Sequence, residues 1–150
     1  MDEGNRFRYL EHTADVKFEA FGKTYDEVFE NAGYALSNII VNTSDVGKSV
    51  VKKINLSSQD ILSLLYDFLE EIILLFEVEH FVVSEVSKVE LDRDHNKIFV
   101  KLVGDDISGD NLKKYEFRNS VKAVTYNDMK IEKRQDEDGE ELVATVVIDI

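Results

Sequence analysis

Apolar and polar residues alternate along several segments of the chain with the period of two that is typical of half-buried β-strands. The clearest case covers residues 16–22, where Val16 and Phe18 are interleaved with Lys17 and Glu19. Similar alternation, or a short run rich in β-branched and aromatic residues, predicts further strands. These lie at residues 7–10, 50–56, 81–91, 97–104, 121–126, 129–133 and 142–150.

Two other segments carry apolar residues at helical spacing. The first follows Thr24, whose hydroxyl can accept a hydrogen bond from the amide of Glu27 while the Glu27 side chain reaches back, so a helix is predicted to begin there. The second covers residues 61–76, and Ser57 or Ser58 is the predicted cap. Apolar residues occupy more than half of the circumference of this second helix, which indicates packing on more than one side.

The order of these elements predicts the fold class. Residues 81–91 and 97–104 form one predicted hairpin, and the Asp138-Gly139 pair predicts a second hairpin that ends in the last strand. Strands and helices do not alternate regularly, so we predict an α+β fold. It comprises one domain over residues 1–150, with an antiparallel or mixed β-sheet and two main α-helices packed on it.

The predicted last strand, residues 142–150, is rich in β-branched residues and places two negative groups side by side. These are the side chain of Asp149 and the α-carboxylate of Ile150. They repel each other unless a cation or a proton lies between them, and Asp15 is our candidate third ligand. Oxygen donors suit a divalent cation of the Ca²⁺ or Mg²⁺ class. Spacing alone, however, favours unconnected carboxylates at strand ends.

Composition narrows the function further. A formal net charge of −13 opposes contact with phosphate backbones, so no direct nucleic-acid binding is expected, and a protein partner with a basic surface fits better. From composition alone, however, the charge is better interpreted as serving only solubility. The longest apolar segment is interrupted by Asp67, Glu70 and Glu71, and no apolar run opens the sequence, so we expect neither a membrane span nor a signal peptide. The absence of cysteine agrees with a cytoplasmic location.

The familiar nucleotide-binding loops, zinc-protease motifs and nucleophile motifs are missing from the sequence. The three histidines, His12, His80 and His95, show no spacing typical of a metal site, so each is interpreted as an ordinary surface or hydrogen-bonded residue. His12 has a slightly stronger claim to function because it lies three residues before Asp15.

Five stretches, in order along nearly the whole chain, resemble the archease family. They are HTAD at 12–15, EVFENA at 27–32, LLYDFLEE at 64–71, VKAVTY at 121–126 and VIDI at 147–150. The resemblance runs from about Phe7 to Ile150. It implies an archease-like fold and a protein that is an accessory activator of the RtcB-type RNA ligase of tRNA splicing. Such an activator promotes guanylylation of the ligase by GTP and its multiple turnover, and it has no catalytic activity of its own.

The resemblance also implies site residues. The metal ligands of the family correspond to Asp15, Asp149 and the terminal carboxylate of Ile150. The functional lysine of the family corresponds to Lys122. His12 is assigned with Lys122 to activation of the partner. Without the resemblance, Lys122 is better interpreted as a strand lysine whose stem covers apolar surface. Relatives often carry His where this chain has Asn127, and Asn does not titrate near neutral pH.

Two other functions remain as alternatives. The acidic charge and high apolar content also fit a general chaperone or protein-interaction module. The candidate carboxylates fit a metal-dependent hydrolase less well, because the sequence offers no evident nucleophile or base beyond His12.

Overall fold

The computed structural model describes residues 6–11 and 14–150, which form seven strands and two long helices. The helices are α1 (Tyr25–Ile40) and α2 (Ile61–Glu79). The strands are β1 (Phe7–Leu10), β2 (Asp15–Gly22), β3 (Val50–Ser57), β4 (Phe81–Asp92), β5 (Lys97–Asp106), β6 (Ala123–Asp136) and β7 (Gly139–Asp149). Two short 3₁₀ helices, Thr43–Asp45 and Gly109–Lys114, lie in the connections.

The described strands form two antiparallel sheets. The first sheet has the order β1-β2-β7-β6 and the second has the order β3-β5-β4. Helix α1 contacts β2 and β7 of the first sheet and β4 of the second, and α2 also contacts strands of both sheets. The helices therefore lie between the sheets, and each sheet has an inner face toward them and an outer face. The predicted single-domain α+β fold with two packed helices is confirmed, and the structure adds the division into two sheets.

Helix α1 begins as its sequence predicts. The Thr24 hydroxyl accepts a hydrogen bond from the backbone N–H of Glu27 at 3.2 Å. The Glu27 carboxylate reaches back one residue further than a standard capping box, and it accepts from the backbone N–H of Lys23. Between the sheets, Phe29 of α1 and Phe68 of α2 are fully buried, and their ring centroids are 6.1 Å apart. Aromatic packing of this kind joins the two helices within the core.

The predicted cap of α2 is wrong. Asp60 is the capping residue, and its carboxylate accepts a hydrogen bond from the backbone N–H of Ser63 at 2.8 Å. Ser57 is the last residue of β3, and the backbone N–H of Ser58 donates to the carbonyl of Asn96. Ser57 is thus held in β3, and Ser58 is held by the turn between β4 and β5, before the chain enters the helix.

Both predicted hairpins are confirmed, because β4 pairs with β5 and β6 pairs with β7 in antiparallel register. The inner-facing residues of the sheets join the helices in one continuous core. Within residues 6–11 and 14–150, we find no helix that combines the length and the apolarity required to span a bilayer.

Candidate metal centre

The candidate carboxylates meet at the end of the first sheet, where β7 lies between β2 and β6. Asp15, the first residue of β2, is the cross-strand partner of Asp149, the last residue of β7. Directly opposite residues of an antiparallel pair point to the same face, with their Cβ atoms about 4.5–5.5 Å apart. Both side chains are half-buried. The fold therefore brings together two carboxylates from opposite ends of the sequence.

Lys122 lies beside the same strand end. Its backbone N–H donates to the carbonyl oxygen of Asp149 at 2.8 Å, and Ala123, the next residue, pairs with Asp149 across β6 and β7. Lys122 is exposed, and it makes no ion pair with an acidic residue among those the structure describes. Its charge is thus available to a partner that covers this end of the sheet.

Ile150 continues from β7, and its side chain is half-buried against the core. This packing holds the backbone that follows Asp149. Ala14, on the other side of the pair, has a positive φ of 67°. Such a conformation costs a residue other than glycine about 1–2 kcal/mol, and strained backbone of this kind is often found at functional sites.

The candidate ligands suit a hard cation, but their side chains alone do not complete its coordination. Across residues 6–11 and 14–150, no three His, Cys, Asp or Glu side chains converge as metal ligands. Asp15 and Asp149 supply carboxylate oxygens, which Ca²⁺ and Mg²⁺ prefer. His12 lies outside the described residues. The two aspartates therefore fit a hard cation whose remaining ligands are main-chain oxygens and water.

A bulge in β6 adjoins this centre and has no counterpart in the predicted elements. The register between β6 and β7 shifts between Thr125 and Lys130, and Asp128 has a φ of 56°. Asp128 forms an ion pair with Lys17 of β2 at 3.4 Å. The neighbouring Asn127 and Asp128 were the available signal in the sequence, because Asn and Asp tolerate left-handed backbone better than other residues with side chains.

The bulge also carries Tyr126 to the edge of the sheet. Its ring stacks on that of Tyr66 from α2, with centroids 4.2 Å apart and planes 4° from parallel, and Tyr126 remains 55% exposed. Burial, followed by the negative charge of Glu70, raises the pKa of Tyr66 above its usual value. The pair presents an exposed aromatic surface on β6, three residues beyond Ala123, the cross-strand partner of Asp149. Sequence reasoning gave no indication of this stack.

The outer face of the first sheet contains a buried acid that the alternating pattern does not distinguish. Glu19 is 4% exposed and lies between Arg8 and Arg134, whose guanidinium nitrogens are 2.7 and 2.6 Å from its carboxylate oxygens. Burial alone would raise the pKa of Glu19, but hydrogen bonds and charge from Arg134 and Arg8 outweigh it, so the pKa lies below its usual value. This ion cluster joins β1, β2 and β6, four residues along β2 from Asp15.

Comparisons with known proteins agree with this architecture. The archease protein family (MTH1598/TM1083) matches residues 7–150. Protein archease from Methanosarcina barkeri is 39% identical over 150 residues, which cover 99% of this chain and 98% of the relative. Protein archease from Pyrococcus abyssi is 36% identical over 132 residues, which cover 87% of this chain and 91% of the relative.

A solved structure is similar along almost its full length. The solution structure of Methanobacterium thermoautotrophicum protein 1598 has a TM-score of 0.74 and 34% sequence identity to this chain. The match covers 97% of this chain and 99% of that one. The sequence and the fold therefore lead to the same conclusion: this chain belongs to the archease family.

Proposed function

We propose that this protein is an accessory activator of an RtcB-type RNA ligase in the cytoplasm. It promotes guanylylation of the ligase by GTP and repeated turnover, and it converts no substrate of its own. One observation carries the proposal beyond family membership. Asp15, Lys122 and Asp149 come from three distant parts of the chain, and they gather at one end of the first sheet.

A divalent cation of the Ca²⁺ or Mg²⁺ class forms part of the proposal. Asp15, Asp149 and the carboxylate of Ile150 are its proposed ligands. When bound, such an ion supplies positive charge that offsets the repulsion between the opposed carboxylates. The chain's own contribution is to hold the ligands. The pairing of β2 with β7 sets the separation of the two aspartates, and the packing of Ile150 fixes the main chain that follows them.

Lys122 is the proposed contact to the reacting groups of the ligase. Its ammonium group is a compact positive charge, which suits a phosphate or a carboxylate. Exclusion of water by the bound ligase would strengthen that attraction, because charges interact more strongly in a site of low dielectric. His12 is proposed to assist at the same surface. Asn127 can donate and accept hydrogen bonds there, but it takes no part in proton transfer.

The test is RNA ligation under multiple turnover by the cognate ligase, with GTP and increasing amounts of this protein. Asp15→Asn, Lys122→Ala and Asp149→Asn should each lower the maximal stimulated rate at least tenfold. Lys113→Ala is the matched control, because Lys113 is an exposed lysine outside the centre, on the short helix Gly109–Lys114. Wild-type rates in all three site variants would overturn the assigned residues, and no stimulation by the wild-type protein would overturn the function.

The two alternative functions predict activities that need no ligase. A general chaperone would suppress the aggregation of unrelated proteins without a metal, and a hydrolase would cleave phosphoesters when a metal is added. We expect neither activity from the preparation that stimulates ligation. Light scattering and a chromogenic phosphodiester assay would measure them.

A further inference from the structure

Three lysines stand side by side across the outer face of the second sheet. Lys101 on the central strand β5 is the cross-strand partner of Lys53 on β3 and of Lys88 on β4. Side chains in such direct register lie on one face and within about 4.5–5.5 Å at their Cβ atoms. We call these three residues the lysine row.

The lysine row is costly to the folded protein, because like charges directly opposite one another on a sheet are destabilising. The chain has 31 acidic residues against 18 Lys and Arg, so carboxylates are in excess. Of the three lysines in the row, Lys88 alone has an acidic partner within ion-pair distance among the described residues, namely Glu90 at 2.8 Å. Lys53 and Lys101 have none. The row is therefore a local concentration of positive charge on a strongly negative protein.

Apolar side chains border the row on both sides. Val51 and Val103 are cross-strand partners on one side, and Phe99 lies on the other. Val51 is 50% exposed, and Val103 and Phe99 are partly exposed. The alternate residues of the same strands, such as Ile54 and Val100, face the helices and are buried. No element of the described chain covers the outer face at these positions, because both helices lie on the inner face.

The arrangement indicates what kind of partner fits. Carboxylates placed over the lysine row would relieve its repulsion, and apolar neighbours of those carboxylates would pack on Val51, Val103 and Phe99. A polynucleotide fits less well, because its phosphates follow one another along the whole backbone and would meet Glu85 and Glu90 on the same face of the sheet, whereas the carboxylates of a peptide can be confined to positions over the row.

We propose that the lysine row and its apolar borders are a docking surface for an acidic segment of the partner protein, in which carboxylates alternate with apolar side chains. The inference rests on the proposed function, because it takes the RNA ligase as the protein that carries the segment. It adds a second contact surface, on a different sheet from Asp15 and Asp149. The lysine row would provide affinity for the ligase, and the end of the first sheet that carries Asp15 and Asp149 would act on the active site of the ligase.

The experiment separates affinity from activation. The double variant Lys53→Gln/Lys101→Gln of the full chain is compared with wild type, Asp149→Asn and the control Lys113→Gln in the multiple-turnover ligation assay. We expect the double variant to raise the concentration for half-maximal stimulation about tenfold and to reach the same maximal rate. Asp149→Asn should show the reverse pattern, with a lower maximal rate at a similar half-maximal concentration. The direct affinity for the ligase, measured by biolayer interferometry, should fall in parallel and depend on salt.

The other possible results distinguish failure of the docking surface from failure of the proposed function. A double variant that binds and stimulates like wild type overturns the docking surface, while loss of activation in Asp149→Asn would still support the proposed function. If wild type binds the ligase through the lysines without stimulating it, the docking surface stands and the proposed function fails. If wild type does not bind the ligase, both fail. Binding of a single-stranded RNA to this protein alone, lost in the double variant, would replace the acidic segment by nucleic acid.

Discussion

Asp15 and Asp149 are cross-strand partners on β2 and β7, although one lies near the start of the sequence and the other is its penultimate residue. Both positions sit at strand ends, where the antiparallel pairing stops. Two carboxylates held in this relationship repel each other, and the repulsion falls when a cation binds between them. This relationship leads to two predictions about the candidate metal centre.

Divalent cations should stabilise the wild-type protein more than Asp149→Asn. A cation at a hundredfold excess over its Kd contributes about 2.7 kcal/mol, which corresponds to a rise in Tm of about 5–10 °C for a chain of this size. Asp149→Asn removes one ligand, so the rise should largely disappear. Differential scanning calorimetry with Ca²⁺, Mg²⁺ or EDTA measures it. Asp110→Asn, at an exposed site, is the control, and an equal rise in Asp149→Asn would show that the cation binds elsewhere.

Extending the chain beyond Ile150 should weaken cation binding, because the anionic α-carboxylate becomes part of a neutral peptide bond. A two-residue Gly-Ser extension should reduce Ca²⁺ affinity at least tenfold by isothermal titration calorimetry. Ile150→Val is the matched control, since it keeps both the carboxylate and a β-branched side chain. Unchanged affinity in the extended protein would remove Ile150 from the ligand set.

Glu19 should make stability depend on pH in the acid range. Its pKa in the folded protein lies below the usual 4.5 of an unfolded glutamate. The contribution of Glu19 is therefore complete above pH 4.5 and is lost as the pH falls through the folded pKa. Urea unfolding between pH 6 and pH 3 should show this loss in wild type and a shallower decline in Glu19→Gln.

The same substitution should lower the free energy of unfolding at pH 7 by about 1.5–3 kcal/mol, because Arg8 and Arg134 lose a charged acceptor. Glu90→Gln, an exposed carboxylate on the other sheet, is the control. Parallel pH profiles for wild type and Glu19→Gln would contradict the assignment of acid sensitivity to this cluster.

Lys101→Gln should stabilise the protein, because it removes the central charge of the lysine row. The expected gain is about 0.2–1 kcal/mol in low salt, and it should shrink in 1 M NaCl as screening weakens the repulsion. Chemical denaturation at two salt concentrations measures it. Lys97→Gln is the matched control on the same strand and face, where the cross-strand partners are Ser57 and Asp92, and it should give no gain.

Gly104→Ala should destabilise the second sheet. A Cβ atom at this position would lie 1.8 Å from the carbonyl oxygen of Val82 and 2.9 Å from the ring of Phe81. Both neighbours belong to the adjacent strand β4, so the backbone would have to shift, at a cost of about 3 kcal/mol. Gly109→Ala meets no atom within 4 Å and costs only about 1 kcal/mol for its left-handed backbone. Equal losses in the two variants would contradict this packing argument.

Local chemistry made much of the fold predictable. The hydroxyl of Thr24 and the amide it caps are three residues apart, so the start of α1 follows from the sequence. The Asp138-Gly139 turn likewise specifies the β6-β7 hairpin, because φ at Gly139 is positive at 109°. The sequence pattern misplaced the cap of α2 because several nearby polar residues can serve, while Ser57 belongs to β3 and the Ser58 hydroxyl donates to Asp67 instead. Choosing Asp60 requires knowing where the strand ends.

By itself, the sequence determined the helices, most of the strands and the family, since side-chain periodicity, turn residues and motif order are all local properties. Only the tertiary structure decided which strands became neighbours. It placed Asp15 opposite Asp149 and Glu19 between two arginines. It also aligned Lys53, Lys88 and Lys101 in one row. The physical reason is that a period of two specifies which face of a strand a residue occupies. The neighbour across the sheet depends on strand order and register, which long-range packing selects.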